Sequence, residues 1–90
     1  GQDFASRDGV RFMVVLLTRR HFQDLVEVTG TGAALSALAE ALGADFGSEG
    51  DRYRYRDVLS GLFATWFADH DAGQISAALA ATTVLHERYR

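Results

Sequence analysis

Cysteine is absent from this chain, and so are proline, lysine and asparagine. Without cysteine there are no disulfides and no thiolate metal site, so stability must come from burial and hydrogen bonding. A cysteine-free chain also fits a reducing compartment. Long hydrophobic runs are missing too. The longest, Phe12 to Leu17, falls far short of the roughly 20 apolar residues needed to cross a bilayer. No basic-then-apolar signal segment opens the sequence. These absences lead to the expectation of a cytoplasmic protein with no membrane partner. Positive charge is not in excess either: the net charge is −3. Non-specific nucleic-acid binding needs a basic footprint, so no nucleic-acid partner is expected.

What is present is ordinary globular material. The chain has 90 residues, 48% of them hydrophobic and 23% charged, which suits one domain spanning residues 1–90 with a modest core. All basic residues are arginine, a bias typical of a GC-rich genome. The chain starts on Gly1 rather than methionine and stops after Tyr89-Arg90. This reads as a segment of a longer protein.

Asp3–Ala5 and Val10–Leu17 read as two strands joined by Ser6-Arg7-Asp8-Gly9, since Asp-Gly supplies the positive φ that a hairpin turn needs. Phe12, Val14 and Leu16 then face one way, and Arg11, Met13, Val15 and Leu17 the other. Both faces are apolar beyond Arg11, which calls for cover on both sides. Two strands are marginal alone, so neighbouring structure is expected to help. Thr18 is placed to cap a helix carrying Phe22, Leu25 and Val26, closed by Gly30. Thr31 or Gly32 restarts a helix with Leu35, Leu38 and Leu42, ended by Gly43, and Ala44–Gly50 follows as an acidic loop.

The strongest pattern begins at Asp51, read as an N-cap. Tyr55, Val58, Leu59, Leu62, Phe63, Trp66 and Phe67 recur at the i, i+3, i+4 spacing of an amphipathic helix. Its aromatic residues should supply most of the core, with Trp66 buried midway along the stripe. Asp71 with Gln74 has capping-box spacing ahead of a short helix bearing Ile75, Ala78 and Leu79. Val84 and Leu85 leave room for a brief third strand. The expected fold class is α+β: a small, mostly helical module with a β-hairpin, a third short strand as an option, and about four helices.

Chemistry is sparse by comparison. His21, His70 and His86 lie far apart, and none has a second ligand three or four residues away. His70 between Asp69 and Asp71 suits a solvated helix junction. Arg52-Tyr53-Arg54-Tyr55-Arg56 interleaves cations with aromatics, as single-strand nucleic-acid platforms do. On a helix, however, Arg52 and Arg56 share a face while Tyr55 turns to the core. Glu49, Asp51 and Asp57 offset much of that charge, so stacked arginines at a solvated helix start are expected. Gly30-Thr31-Gly32 follows a helix rather than a strand and suits a tight corner between helices, not a phosphate loop. Ser48, Ser60 and Ser76 have no nucleophile-elbow context, and no carboxylate pair is placed for acid–base work. The expectation is no catalytic residue and no metal ligand, and hence no turnover by this chain alone.

The order and spacing of several segments nevertheless resemble a known family. Gly1-Gln2-Asp3-Phe4, Arg7-Asp8-Gly9 and the apolar strand ending Leu17-Thr18 come first. Phe22-Gln23-Asp24-Leu25, Tyr55-Arg56-Asp57-Val58-Leu59, Phe63-Ala64-Thr65-Trp66-Phe67 and Ile75–Val84 follow. Together they resemble a stretch of the family III CoA-transferases, which include formyl-CoA transferase, carnitine-CoA transferase and α-methylacyl-CoA racemase relatives. Asp45-Phe46 and Gly50–Arg54 are similar to an isomerase branch that moves CoA within one molecule, with racemase still open. One departure stands out: many relatives carry a Gly-Val-Pro turn where this chain has Ala81-Thr82-Thr83-Val84-Leu85.

The resemblance implies that the chain is the small domain of an acyl-CoA enzyme. Its partners would be a large Rossmann-like domain of the same polypeptide and a second subunit in an interlocked homodimer. The substrate would be a CoA thioester, with no cofactor held in this segment. The catalytic aspartate and the proton-shuttling groups of the family belong to the large domain, and none maps here. The family's glycine-rich loop would end near Gly1 and Gln2, which makes these two the candidate substrate-binding residues. A reading from a different class stays open, that of a free-standing helical interaction module without enzymatic activity.

Overall fold

The Ser6–Gly9 turn folds strands β1 (Gln2–Ala5) and β2 (Arg11–Val15) into an antiparallel hairpin in a computed structural model that describes residues 2–89. Gly9 takes φ 83°, where a side chain would be strained. The Ser6 hydroxyl closes the turn by accepting from the Val10 N–H (2.9 Å). Asp3 stands opposite Met13 and Phe4 opposite Phe12. A third strand, β3 (Leu85–Tyr89), pairs antiparallel on the other side of β2, so β2 is central and the order is β1-β2-β3. This strand is longer than the Val84-Leu85 stub expected. His86, Glu87 and Tyr89 pair with Val14, Met13 and Arg11, while Val84 leads in from the core.

Strand β2 is shorter than its apolar run suggests. The Leu17 N–H is taken by His21 Nδ1 (3.1 Å), and the Thr18 hydroxyl accepts from the His21 N–H (3.1 Å). The backbone is thus drawn into the start of helix α1 (Arg19–Thr29) before Leu16 and Leu17 join the strand. Gly30 closes α1 in the left-handed conformation (φ 65°), and its N–H reaches back to carbonyls of the last turn. The chain then bends by 119° into α2 (Gly32–Leu42), which ends at Gly43. Thr29 is buried at this corner, where its hydroxyl bonds the Leu25 carbonyl (2.7 Å) and the Thr31 hydroxyl (2.9 Å). Helix α2 is a loose neighbour: Leu35 and Leu38 are half-buried, and none of its residues is fully buried.

The helix expected from Asp51 onward is two helices. α3 (Glu49–Arg54) begins after Ser48, and α4 (Arg56–Ala68) follows a break at Tyr55. Asp51 does not cap the helix. Its carboxylate accepts from the Asp45 N–H (2.8 Å) and pins the preceding loop. The Tyr55 ring meets Phe46 edge-on at 6.1 Å, and the Arg56 guanidinium bonds the Tyr53 carbonyl (2.9 Å) beside the break. Splitting this element raises the helix count from about four to five. The last helix, α5 (Ala72–Ala80), has the capping box expected of Asp71 and Gln74 (2.8 and 3.0 Å).

One apolar core joins these parts. Phe4 and Phe12 from the sheet meet Phe67 of α4, at 4.4 and 6.3 Å between ring centroids. Phe22 of α1 meets Phe63 edge-on at 5.9 Å, and Leu25, Leu59, Ile75 and Leu79 fill the space between. Trp66 departs from the expectation of a buried anchor. It lies half-buried at the margin, between Phe67 (5.1 Å) and His70 (4.5 Å), because Leu59, Phe63 and Phe67 form the inward stripe.

The helices cover only one face of the sheet. Phe4, Phe12 and Val14 are buried beneath them, whereas Met13 and Val15 on the opposite face are half-exposed. Leu85 (46% exposed) and Tyr89 (37%) share that open face, and Leu17 (65%) lies just beyond it. Tyr89 donates to the Asp3 carboxylate (2.5 Å) across the outer side of β2. That bond pushes the Tyr89 phenol above its ordinary 10.0. Among the described residues, no single helix is long and apolar enough to cross a membrane.

Candidate functional site

The three histidines are committed to local structure and do not converge. His21 Nδ1 accepts from the Leu17 N–H, His70 Nδ1 lies 2.7 Å from the Trp66 carbonyl, and His86 Nδ1 lies 3.0 Å from the Val84 carbonyl. Among the described residues, no group of histidines and carboxylates is placed to hold a metal ion. Gly30-Thr31-Gly32 forms the bend between α1 and α2.

Two aspartates have found partners distant in sequence, and both do structural work. Asp8, in the hairpin turn, accepts from the Ser6 hydroxyl and from the Ala72 N–H (3.0 Å) at the start of α5. The Ser6 hydroxyl, with the Ala72 N–H, holds the Asp8 carboxyl below its ordinary 3.8. The Arg7 N–H bonds the His70 carbonyl (2.8 Å) and its guanidinium approaches Asp71 (3.6 Å), so the turn is stapled to the α4–α5 junction. Asp24 accepts from both the hydroxyl (2.6 Å) and the N–H (2.8 Å) of Thr83, which lowers its carboxyl as well. The Thr82 hydroxyl bonds the Leu79 carbonyl (2.7 Å). The Ala81–Leu85 segment thus makes its turn with threonine hydroxyls.

The candidate site is a cleft of about 650 Å³ between the β1 end of the sheet and α3. Its floor is apolar, made by Val14 and Leu16 from the sheet side, Phe22 from α1, and Leu59 and Phe63 from α4. Its rim is polar. Gln2 stands at one edge, half-buried at the first position of β1 and paired with Val14. Arg52, Tyr53 and Arg56 stand opposite, with Glu49 beside them. Of the two candidate substrate-binding residues, Gln2 lines this cleft, and Gly1 lies outside the described residues.

The arginines on the rim are held in place by backbone carbonyls and rings. Arg52 Nη1 donates to the Phe46 carbonyl (3.0 Å), and its guanidinium lies 5.5 Å from the Phe22 ring centroid. Arg56 stacks over Tyr53 at 4.2 Å, while Arg54 stacks on Tyr55 at 5.2 Å. The ion pairs among the described residues are Arg7–Asp71 and Arg20–Asp24, so neither rim arginine has a carboxylate within 4.0 Å. Local sequence spacing identified the aromatic–arginine run but not the cleft. The floor is drawn from segments some fifty residues apart along the chain.

No family model matches this sequence. Among curated proteins, the chain is 42% identical over 67 residues to 2-methylfumaryl-CoA isomerase of Chloroflexus aurantiacus. The match takes in 74% of this chain and 16% of that protein, so the chain spans about a sixth of its relative's length. It supports a relative of CoA-transferase type, in line with the resemblance in segment order and spacing.

Proposed function

We propose that this chain is the small-domain segment of an acyl-CoA enzyme that moves CoA between carboxylates, acting as an isomerase within one substrate molecule. The observation that carries the reading is the 42% identity to a 2-methylfumaryl-CoA isomerase across most of the chain. The histidines are occupied locally, and the two shifted aspartates hold turns together. In this reading the nucleophile comes from the large domain of the same polypeptide. The open sheet face around Met13, Val15 and Leu85 is a natural seat for that domain or for a second subunit.

The test is to express the complete gene product and incubate it with 2-methylfumaryl-CoA, following products by chromatography with mass detection. Formation of an isomer of unchanged mass is the expected result. A complete product that converts neither this thioester nor a panel of branched acyl-CoA substrates, racemase substrates included, would remove the enzymatic reading.

A further inference from the structure

We propose that the cleft between β1 and α3 binds the free carboxylate of a short, branched acyl group, with Arg52 and Arg56 as its anion-binding residues. The proposal rests on the acyl-CoA reading for the identity of the acyl group, but the preference for a carboxylate follows from the cleft itself. Each guanidinium carries five N–H donors in a rigid fork, and here each spends one on a backbone carbonyl. Stacking on Phe22 and Tyr53 restrains the two groups without neutralising them. With no carboxylate among the described residues within 4.0 Å of either, their remaining donors are available to an incoming anion.

Glu49 is the one acid on the rim, so the opening holds two cations against one anion. Behind it Phe22, Leu59 and Phe63 offer an apolar floor that suits a methyl-branched carbon skeleton and would not solvate a polyphosphate. Gln2 closes the far edge with an amide able to donate or accept. An anion with a small apolar body satisfies both halves of this arrangement.

The experiment titrates the 90-residue chain with 2-methylfumarate and follows backbone amide resonances. Two other probes are the neutral 2-methylfumaramide and free coenzyme A, which presents phosphates in place of a carboxylate. Saturable shifts at Gln2, Arg52 and Tyr53 with 2-methylfumarate alone are expected, at millimolar affinity. Arg56→Gln, at an exposed position, should weaken binding roughly five- to tenfold. Arg52→Lys keeps the charge but loses the fork, and should weaken it as well. Far-UV circular dichroism confirms that both variants stay folded.

Equal shifts with the diamide, stronger competition by coenzyme A, or affinity unchanged in both folded variants would each overturn the assignment. The two proposals fail separately. A gene product that isomerises the thioester while the cleft ignores 2-methylfumarate keeps the enzyme and loses the site. Carboxylate binding without acyl-CoA turnover keeps the site and loses the enzyme.

Discussion

Replacing Phe67 with alanine should remove a large part of the protein's stability, whereas the same change at Trp66 should not. The Phe67 ring is fully buried, stacks on Phe4 at 4.4 Å with planes 6° apart, and lies 6.3 Å from Phe12. It therefore joins α4 to both strands of the hairpin, and its removal leaves an enclosed hole. Buried Phe→Ala changes cost about 3–5 kcal/mol, and the enclosed site argues for the upper half of that range. At about 0.05–0.15 kcal/mol per residue, a chain of this length holds roughly 5–13 kcal/mol in all. With a urea slope near ~1.5 kcal/mol per molar, the midpoint should fall by about 3 M. Trp66 is half-buried at the margin of the core, so truncating it should cost only about 1–2 kcal/mol. Far-UV circular dichroism in urea measures both variants without relying on the tryptophan signal. A Trp66→Ala variant as destabilised as Phe67→Ala, or a Phe67→Ala loss below about 1.5 kcal/mol, would refute this account of the core.

The open sheet face predicts association: the chain should self-associate with rising concentration in sedimentation, and Val15→Lys should return it to monomer. Strict monomers that bind no hydrophobic dye would show instead that the face is tolerated bare. Asp24 predicts an acid limb. Its folded carboxyl sits below the 3.8 of the unfolded chain, so its contribution is complete above that value and is lost as pH falls through the lower folded one. Asp24→Asn should therefore flatten the stability profile below about pH 4, leaving the part due to Asp8; an unaltered slope in urea titrations would rule out that linkage.

Most of the fold was legible because its signals are local. Asp8-Gly9, the Thr18 cap, Gly30, Gly43 and the Asp71–Gln74 box each act within a few residues, and each sits where its chemistry demands. The misses arise where a distant partner overrides local spacing. Periodicity carried the helix through Tyr55, but that ring is held against Phe46 and the Asp51 carboxylate is drawn off to the Asp45 N–H. Apolarity carried β2 to Leu17, but His21 takes the Leu17 N–H. Trp66 shares the helical stripe with Phe63 and Phe67, yet the inward direction is set by Phe4 and Phe12, whose contact with α4 is a tertiary fact.

The site was less legible for a different reason, and the arginines show it. Counting neighbours along the chain balances Arg52 and Arg56 against Glu49, Asp51 and Asp57, which makes the run look like a neutralised surface. In space none of these acids forms a direct ion pair with either arginine. Asp51 is committed to a backbone N–H, and no carboxylate among the described residues comes within 4.0 Å of either guanidinium. Charge compensation is a matter of distance, since an interaction between unit charges falls as they separate and solvent enters between them. The break at Tyr55 gives Arg56 a carbonyl to bind on Tyr53, while Arg52 takes the carbonyl of Phe46. The same departure from helical spacing that the sequence concealed thus leaves two fixed, unpaired cations at the mouth of an apolar cleft. A helix running unbroken from Asp51 would return the Tyr53 carbonyl to the helical ladder and release Arg56 to solvent. The geometry of the cleft's rim is therefore tied to the break at Tyr55.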